Sequence, residues 1–272
     1  MDRYAVFGNP IVQSKSPVIH RMFADQLAQD LSYAAIEPAR DEFQPAITDF
    51  FAHGSLGANV TAPFKLEAFN FASELTQRAS LAGAVNTLKR LTDGKVLGDN
   101  TDGQGLVEDL CRQFGSISGL NILLLGAGGA AQGVIAPLFS AGVTAICIAN
   151  RTEQKAQTLA QRFASHGNTH GCSLDVLPGA DFDLIINSTS SSMTGDVPGI
   201  HPSAIENTRY AYDMFYQDRP TSFMQWTLQS NTNIQASDGL GMLVGQAAES
   251  FYVWRGVRPN ITPVIDKLRS NL

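Results

Sequence analysis

Asn121-Ile122-Leu123-Leu124-Leu125-Gly126-Ala127-Gly128-Gly129-Ala130-Ala131 is the stretch on which the reading of the fold turns. Its apolar run shows no polar alternation, as expected of a strand covered on both faces. The six residues that follow fit G-x-G-x-x-G/A, with Ala131 in the third position. In such a loop the first glycine permits a tight turn and the second lets a pyrophosphate approach the backbone. The small third residue lets helix and strand pack closely. A helix is expected from Gly129 to about Ala141, its free N–H groups facing phosphates, with Pro137 an awkward interior residue that should kink it. Glycine-rich turns also arise for packing alone. One that directly follows a buried strand reads as a dinucleotide loop, with Gly126, Ala127, Gly128, Gly129 and Ala130 as contacts.

The next strand, Thr144–Ala149, runs into Asn150-Arg151-Thr152, with Lys155 one helical turn past Arg151. An NAD-binding protein should offer a carboxylate to the ribose hydroxyls here; the tripeptide has none. Arg151 and Lys155 can share a helix face, and a guanidinium grips a phosphate through two parallel hydrogen bonds. Plain solvation would also accommodate them, yet cations are disfavoured at a helix start without an anion nearby. The pattern therefore favours NADP over NAD. Strands at Leu184–Asn187 and Tyr210–Met214 extend the series.

Toward the N-terminus a second series of short apolar runs and helical stretches appears, so the class is α/β with parallel strands. Strands are expected at Arg3–Gly8, Ser32–Ile36 and Gly57–Thr61. Ser16 is a plausible cap for a helix with Pro17 at its first position. A second helix near Phe43–His53 stops at Gly54, and Pro63 starts a third through Phe64, Ala68 and Phe71. Val85–Leu91 and Val96–Gly98 flank the hairpin signal Thr92-Asp93-Gly94. A long helix, Leu240–Trp254, closes the pattern. A domain boundary is expected inside the helix after Asp102.

At 272 residues the chain has material for two packed domains. A net charge of −6 gives no generic attraction to nucleic acid or an anionic membrane. No run approaches the length that spans a bilayer, and the opening residues carry no signal-peptide-like apolar stretch. The expectation is a cytoplasmic protein with reduced thiols. Cys111, Cys147 and Cys172 suit neither a disulfide framework nor a CxxC metal pair, and each should behave as a small buried hydrophobe. His166 and His170 flank Gly167-Asn168-Thr169, a surface turn on this reading, and no metal site is expected.

Four clusters end a strand or begin a helix in the first series. They are Ser14-Lys15-Ser16-Pro17, Asn59-Val60-Thr61-Ala62-Pro63-Phe64-Lys65, Gly83-Ala84-Val85-Asn86-Thr87 and Asp99-Asn100-Thr101-Asp102-Gly103. Parallel α/β sheets bind ligands outside the carboxyl ends of their strands. Each cluster also has an ordinary account: Ser16 as a cap, Thr61 ahead of a Pro-started helix, Asp102 capping the next helix.

Taken in order, and followed by Gly-Ala-Gly-Gly-Ala, Asn-Arg-Thr, Tyr-Asp-Met-Phe-Tyr and Asp-Gly-Leu-Gly-Met-Leu-Val-Gly-Gln-Ala, the set resembles the shikimate dehydrogenase family over nearly the whole chain. The resemblance implies two α/β domains separated by a cleft. Residues 1–101 with 238–272 would form a substrate domain with a mostly parallel sheet, and residues 102–237 a Rossmann-type NADP(H) domain. It implies reversible, NADPH-dependent reduction of 3-dehydroshikimate to shikimate on the route to chorismate and the aromatic amino acids, by a monomer or homodimer. It also implies roles residue by residue. Ser14 and Ser16 would hold the substrate carboxylate; Thr61, Asn86, Asp102 and Gln246 its ring hydroxyls, with Tyr216 close by. Lys65 and Asp102 would be the catalytic pair. Gly126 to Ala130 would meet the pyrophosphate; Asn150, Arg151, Thr152 and Lys155 the adenosine phosphate; Met214 and Gly239 the nicotinamide.

The chain departs from the family pattern twice. Ser192 stands where many members have glycine after Asn-Ala-Thr-Ser, leaving the shape of the Ser188–Ser192 loop open. Gln77 replaces a common acidic residue. An NAD-preferring quinate/shikimate relative would call for an acid at the second strand end. A non-catalytic dinucleotide sensor would have no need of Lys65 and Asp102.

Overall fold

A computed structural model describes residues 1–177 and 181–272. The chain divides into two compact units, Met1–Gly105 with Val244–Lys267 and Leu106–Leu243 with Leu268–Leu272. The strands are β1 (Asp2–Phe7), β2 (Leu31–Ile36), β3 (Gly57–Val60), β4 (Glu74–Leu75), β5 (Thr87–Arg90), β6 (Val96–Asp99), β7 (Asn121–Leu125), β8 (Ala145–Asn150), β9 (Asn168–Ser173), β10 (Leu184–Asn187), β11 (Tyr210–Asp213) and β12 (Gln235–Ser237). The helices are α1 (Ser16–Gln26), α2 (Phe43–Ala52), α3 (Lys65–Phe71), α4 (Gln77–Ala82), α5 (Asp102–Phe114), α6 (Gly129–Ser140), α7 (Glu153–Phe163), α8 (Ser222–Ser230), α9 (Leu240–Arg255) and α10 (Thr262–Arg269).

The first unit is built on a mixed sheet in the order β2-β1-β3-β5-β6-β4. β1 runs parallel to β2 and β3, and β4 to β6, while β5 is antiparallel to both its neighbours. This reversal has a functional consequence. Register pairs Phe7 with Val60, Asn59 with Thr87, and Thr87 with Asp99. The carboxyl ends of β1, β3 and β6 therefore lie level with the amino end of β5. A core of Phe7, Phe43, Ile47, Phe64 and Leu88 holds this arrangement, with Phe43 and Phe64 stacked at 5.0 Å.

The second unit carries a wholly parallel sheet in the order β12-β11-β10-β7-β8-β9. With β7 counted as strand one, this is the 3-2-1-4-5-6 order of dinucleotide-binding folds. Its crevice opens where β7 and β10 send the chain in opposite directions. The quoted run Ile122–Leu125 is wholly buried, as its unbroken apolarity requires.

Several local expectations shift. Helix α1 begins at Ser16 with Lys15 in the cap position and no side-chain cap bond, and Pro17 falls at the second helical position, inside the first turn where a missing N–H removes no helical bond. Pro63 stands ahead of α3 in a cis peptide bond rather than at its start. Helix α6 runs unbroken through Pro137. Of the residues between His166 and His170, Asn168 and Thr169 open β9 instead of continuing a turn, drawn into the sheet by pairing with β8. Cys111 is exposed, whereas the buried Cys147 and Cys172 lie 3.5 Å apart, sulfur to sulfur, on β8 and β9.

Gly171 explains how β9 is fixed. A Cβ there would stand 2.4 Å from the backbone of Ala156 and Gln157 in α7, and backbone yields little. Gly171→Ala should lower unfolding stability by about 1–3 kcal/mol, as overpacking does, read from urea denaturation. An unchanged midpoint would show that the strand and helix can part at no cost.

Candidate active site

The level strand ends of the first unit carry the clusters. Thr61 follows β3, its N–H donating to the Phe7 carbonyl at 2.8 Å, and Phe64 N–H closes a turn on the Thr61 carbonyl at 3.0 Å. Lys65 then starts α3, its own carbonyl accepting from Val85 N–H at 3.0 Å. The Lys65 ammonium meets Asp102 Oδ2 at 2.6 Å; the two side chains are 34% and 20% exposed, so the pair is held yet reachable. The other carboxylate oxygen, Oδ1, accepts from Asn86 Nδ2 at 2.7 Å. Asp102 does not cap α5 as expected. Asn100 Oδ1 accepts the Asp102 N–H at 3.2 Å instead, which leaves the Asp102 carboxylate for Lys65 and Asn86.

Asn86 is the junction. Its Nδ2 also lies 3.0 Å from Thr101 Oγ1 and 3.5 Å from Gln246 Oε1. Its Oδ1 accepts from Thr101 N–H at 2.9 Å and from the Thr87 hydroxyl at 2.8 Å. Lys65, Asp102, Asn86 and Gln246 are thus linked in one chain of hydrogen bonds.

A second layer went unread in the sequence. Asn59 Nδ2 donates to the Asn86 carbonyl, Thr87 Oγ1 and Ser250 Oγ at 2.9–3.2 Å. Asn59 Oδ1 accepts from the Tyr33 hydroxyl at 2.7 Å and from His20 Nε2 at 3.1 Å, which puts the ring proton on Nε2. Ser16 is buried and hydrogen-bonds to Tyr33, and Ser14 Oγ accepts the Ser16 N–H at 3.3 Å. Nearby, Arg78 forks onto Asp99 at 2.7 and 2.5 Å, pinning the residue ahead of Asn100-Thr101-Asp102. The one available signal was a polar residue, Asn59, inside the four-residue, fully buried β3.

In the second unit Gly126 needs its glycine. Its φ is +104°, and a Cβ would stand 2.7 Å from Ser188 Oγ. Gly128 caps α6, and Gly128, Gly129 and Ala130 are exposed. A Cβ at Gly128 or Gly129 meets nothing within 4 Å, so the open amides at this helix start have room for a phosphate. Ala131, the third small residue, is fully buried. Asn150 ends β8, its amide donating to the Thr152 carbonyl at 2.9 Å. Thr152 occupies the cap position of α7 without spending its hydroxyl on a helix N–H. Arg151 and Lys155 both face solvent beside it. Met214, Tyr216 and Gly239 belong to this unit as well. The Gly239 N–H donates to the Phe215 carbonyl at 3.0 Å. Burial pushes the Tyr216 phenol up, reinforced by the Asp238 charge.

Ser192 does not adopt a glycine-like backbone: among the described residues Ala28 is the one non-glycine with positive φ. It lies buried in a 3₁₀ turn, Ser191–Thr194, and its hydroxyl donates to Asp213 Oδ2 at 2.6 Å. Gln77 is exposed at the start of α4 in the first unit.

An open glycine loop on a parallel sheet in one unit, and an amine–carboxylate pair among hydroxyls and amides in the other, are features that suit a dinucleotide-dependent oxidoreductase. Residues 6–88 match the shikimate dehydrogenase substrate binding domain, 109–208 shikimate/quinate 5-dehydrogenase, and 239–269 the shikimate 5'-dehydrogenase C-terminal domain. The chain belongs to the shikimate dehydrogenase family. It is 56% identical over 272 residues to shikimate dehydrogenase (NADP(+)) of Pseudoalteromonas atlantica, covering 100% of both chains. Among solved structures, an Ael1 enzyme from Pseudomonas putida matches with a TM-score of 0.94 and 40% identity, over 98% of each chain. Shikimate 5-dehydrogenase from Thermus thermophilus, in complex with NADP(H) and shikimate, matches with a TM-score of 0.86 and 28% identity, over 100% of each. Among the described residues no group of three or more His, Cys, Asp and Glu is placed to hold a metal, and no helix is long and apolar enough to cross a membrane.

The buried polar layer makes stability depend on pH through His20. Burial drives its pKa down to about 3, so the folded chain keeps the ring neutral. The unfolded chain takes up a proton below about pH 6.5. Stability is therefore full above that pH and falls on acidification toward about pH 3. The slope is up to about 1.4 kcal/mol per pH unit. His20→Gln should flatten the fall between pH 7 and 5 in urea titrations. An unaltered slope would remove His20 from the account.

Proposed function

We propose that this chain catalyses the reversible reduction of 3-dehydroshikimate to shikimate with NADPH, serving the supply of chorismate in the cytoplasm. The observation that carries the reading is the Lys65–Asp102 pair at 2.6 Å, held by Asn86 at the level strand ends. On this reading the first unit acts as the substrate domain and the second as the NADP domain; the units break at 105, 243 and 267 rather than at the expected 101 and 237, so Asp238 and Gly239 fall in the second.

Ser14 and Ser16 offer hydroxyls to the substrate carboxylate, and Thr61, Asn86, Asp102 and Gln246 bind its ring hydroxyls, with Tyr216 close to the bound ring. Gly126 through Ala130 receive the pyrophosphate, Asn150 to Lys155 the adenosine phosphate, and Met214 and Gly239 the nicotinamide. The cofactor, when bound, supplies the hydride that the ketone carbon accepts. As charge gathers on the carbonyl oxygen, the Lys65 ammonium gives it a proton, and the alcohol results. Asp102 keeps the amine aimed and stabilises its charge; Asn86 keeps Asp102 in place. In the oxidation direction Lys65 takes the proton back from the alcohol.

NADPH absorbance followed with 3-dehydroshikimate tests the activity, with NADH as the control. Consumption of neither would end the reading. Lys65→Ala should cut kcat by about 10²–10⁴-fold, the usual reach of a positioned proton donor, with little change in substrate KM; a wild-type kcat would remove Lys65 from the chemistry. The double change Arg151→Ala, Lys155→Ala should raise the NADPH KM by roughly tenfold or more, since charge-assisted bonds are worth about 1.5–3 kcal/mol each. The KM for NADH should stay put, and a parallel rise for both cofactors would contradict the phosphate role.

A further inference from the structure

One cation outside every quoted motif ties together the two segments that carry Met214 and Gly239. Arg269, the last residue of α10, sends Nη2 to Asp238 Oδ1 at 2.5 Å and Nη1 to Asp238 Oδ2 at 2.8 Å. The same Nη1 lies 3.3 Å from the carbonyl oxygen of Gln217. The Asp238 side chain is 6% exposed, and its Oδ1 also accepts the Leu240 N–H at 3.2 Å, so it anchors the start of α9. Immediately after it, Gly239 donates its N–H to the Phe215 carbonyl at 3.0 Å. The backbones run so close that a Cβ on Gly239 would stand 2.1 Å from the Met214 carbonyl oxygen. Met214 is fixed from the sheet side, its N–H donating to the Asn187 carbonyl at 3.0 Å.

We propose that Arg269 is a positioning residue for the nicotinamide half of the cofactor, its guanidinium locking Asp238 and the Gln217 carbonyl so that Met214 and Gly239 keep one fixed surface. The proposal rests on the reading that these two residues receive the nicotinamide. Its physical basis is the two-pronged geometry, which a planar guanidinium meets and an ammonium does not. Removing the arginine leaves a nearly buried carboxylate without its countercharge, and that carboxylate escapes by moving the strand end toward water. The Gly239 contact with Met214 has no slack to absorb such a movement. The grip on the adenosine phosphates uses other residues, Gly126–Ala130 and Asn150–Lys155, and so does not depend on Arg269.

The test is direct binding to the full chain without substrate. NADPH is compared with adenosine 2′,5′-bisphosphate, which has the adenosine half and no nicotinamide. For Arg269→Ala the expected result is an unchanged Kd for the bisphosphate and a Kd for NADPH raised about tenfold, the scale on which lost preorganisation weakens a ligand. The fluorescence of bound NADPH should fall with it. Arg269→Lys, which keeps the charge and loses the fork, should give the same selective loss at smaller size, and it is the variant to read where Arg269→Ala does not fold. A loss equal for both ligands, or absent for both, overturns the proposal. A wild-type chain that binds neither ligand overturns the underlying cofactor reading instead.

Discussion

The side-chain amide of Asn86 is the constraint on which the first unit's site depends, because an amide satisfied on both ends has a single orientation. Its oxygen is taken by Thr101 and Thr87, and its nitrogen is left to face Thr101, Asp102 and Gln246. A carboxylate flanked by that nitrogen on one oxygen and by Lys65 on the other cannot swing. On the proposed reading, preorganisation of this kind would put the Lys65 donor in place without reorganisation at the moment of reaction.

The sheet makes that junction possible. Reversal of β5 brings the start of one strand beside the ends of its neighbours, so three chain segments far apart in sequence deliver polar side chains to one level. Those groups need partners away from water, and Asn59, Thr87 and Ser250 supply them. His20 stays uncharged beneath, stacked on Tyr33 at 4.3 Å. A neutral ring is the form that can sit there, since a charged one would have no carboxylate among these partners to balance it.

What could be read from the residues alone follows the range of the interaction. Gly126 was legible because its demand is local: a positive φ and no room for a side chain. No alternation had to be found for β7, since the unbroken apolar run Ile122–Leu125 declares a doubly covered strand by itself. By contrast β4 and α4 are too short for any period to show, and β9 is too polar to stand out before β8 pairs with it. Lys65 and Asp102 lie 37 positions apart, and no spacing rule joins them; the family resemblance did. Asn59 shows only as a polar residue at the head of a cluster, and His20 and Arg78 not at all, because a buried polar partner is chosen by tertiary packing.

Arg151 and Lys155 stand in water at the head of α7, where neither fills a core nor closes a buried network. On the proposed reading, the groups that would select between two nucleotides are therefore separable from those that keep the chain folded. Selection on this lineage could exchange one coenzyme pool for another by altering a few solvated side chains, while the interior passed through the change untouched.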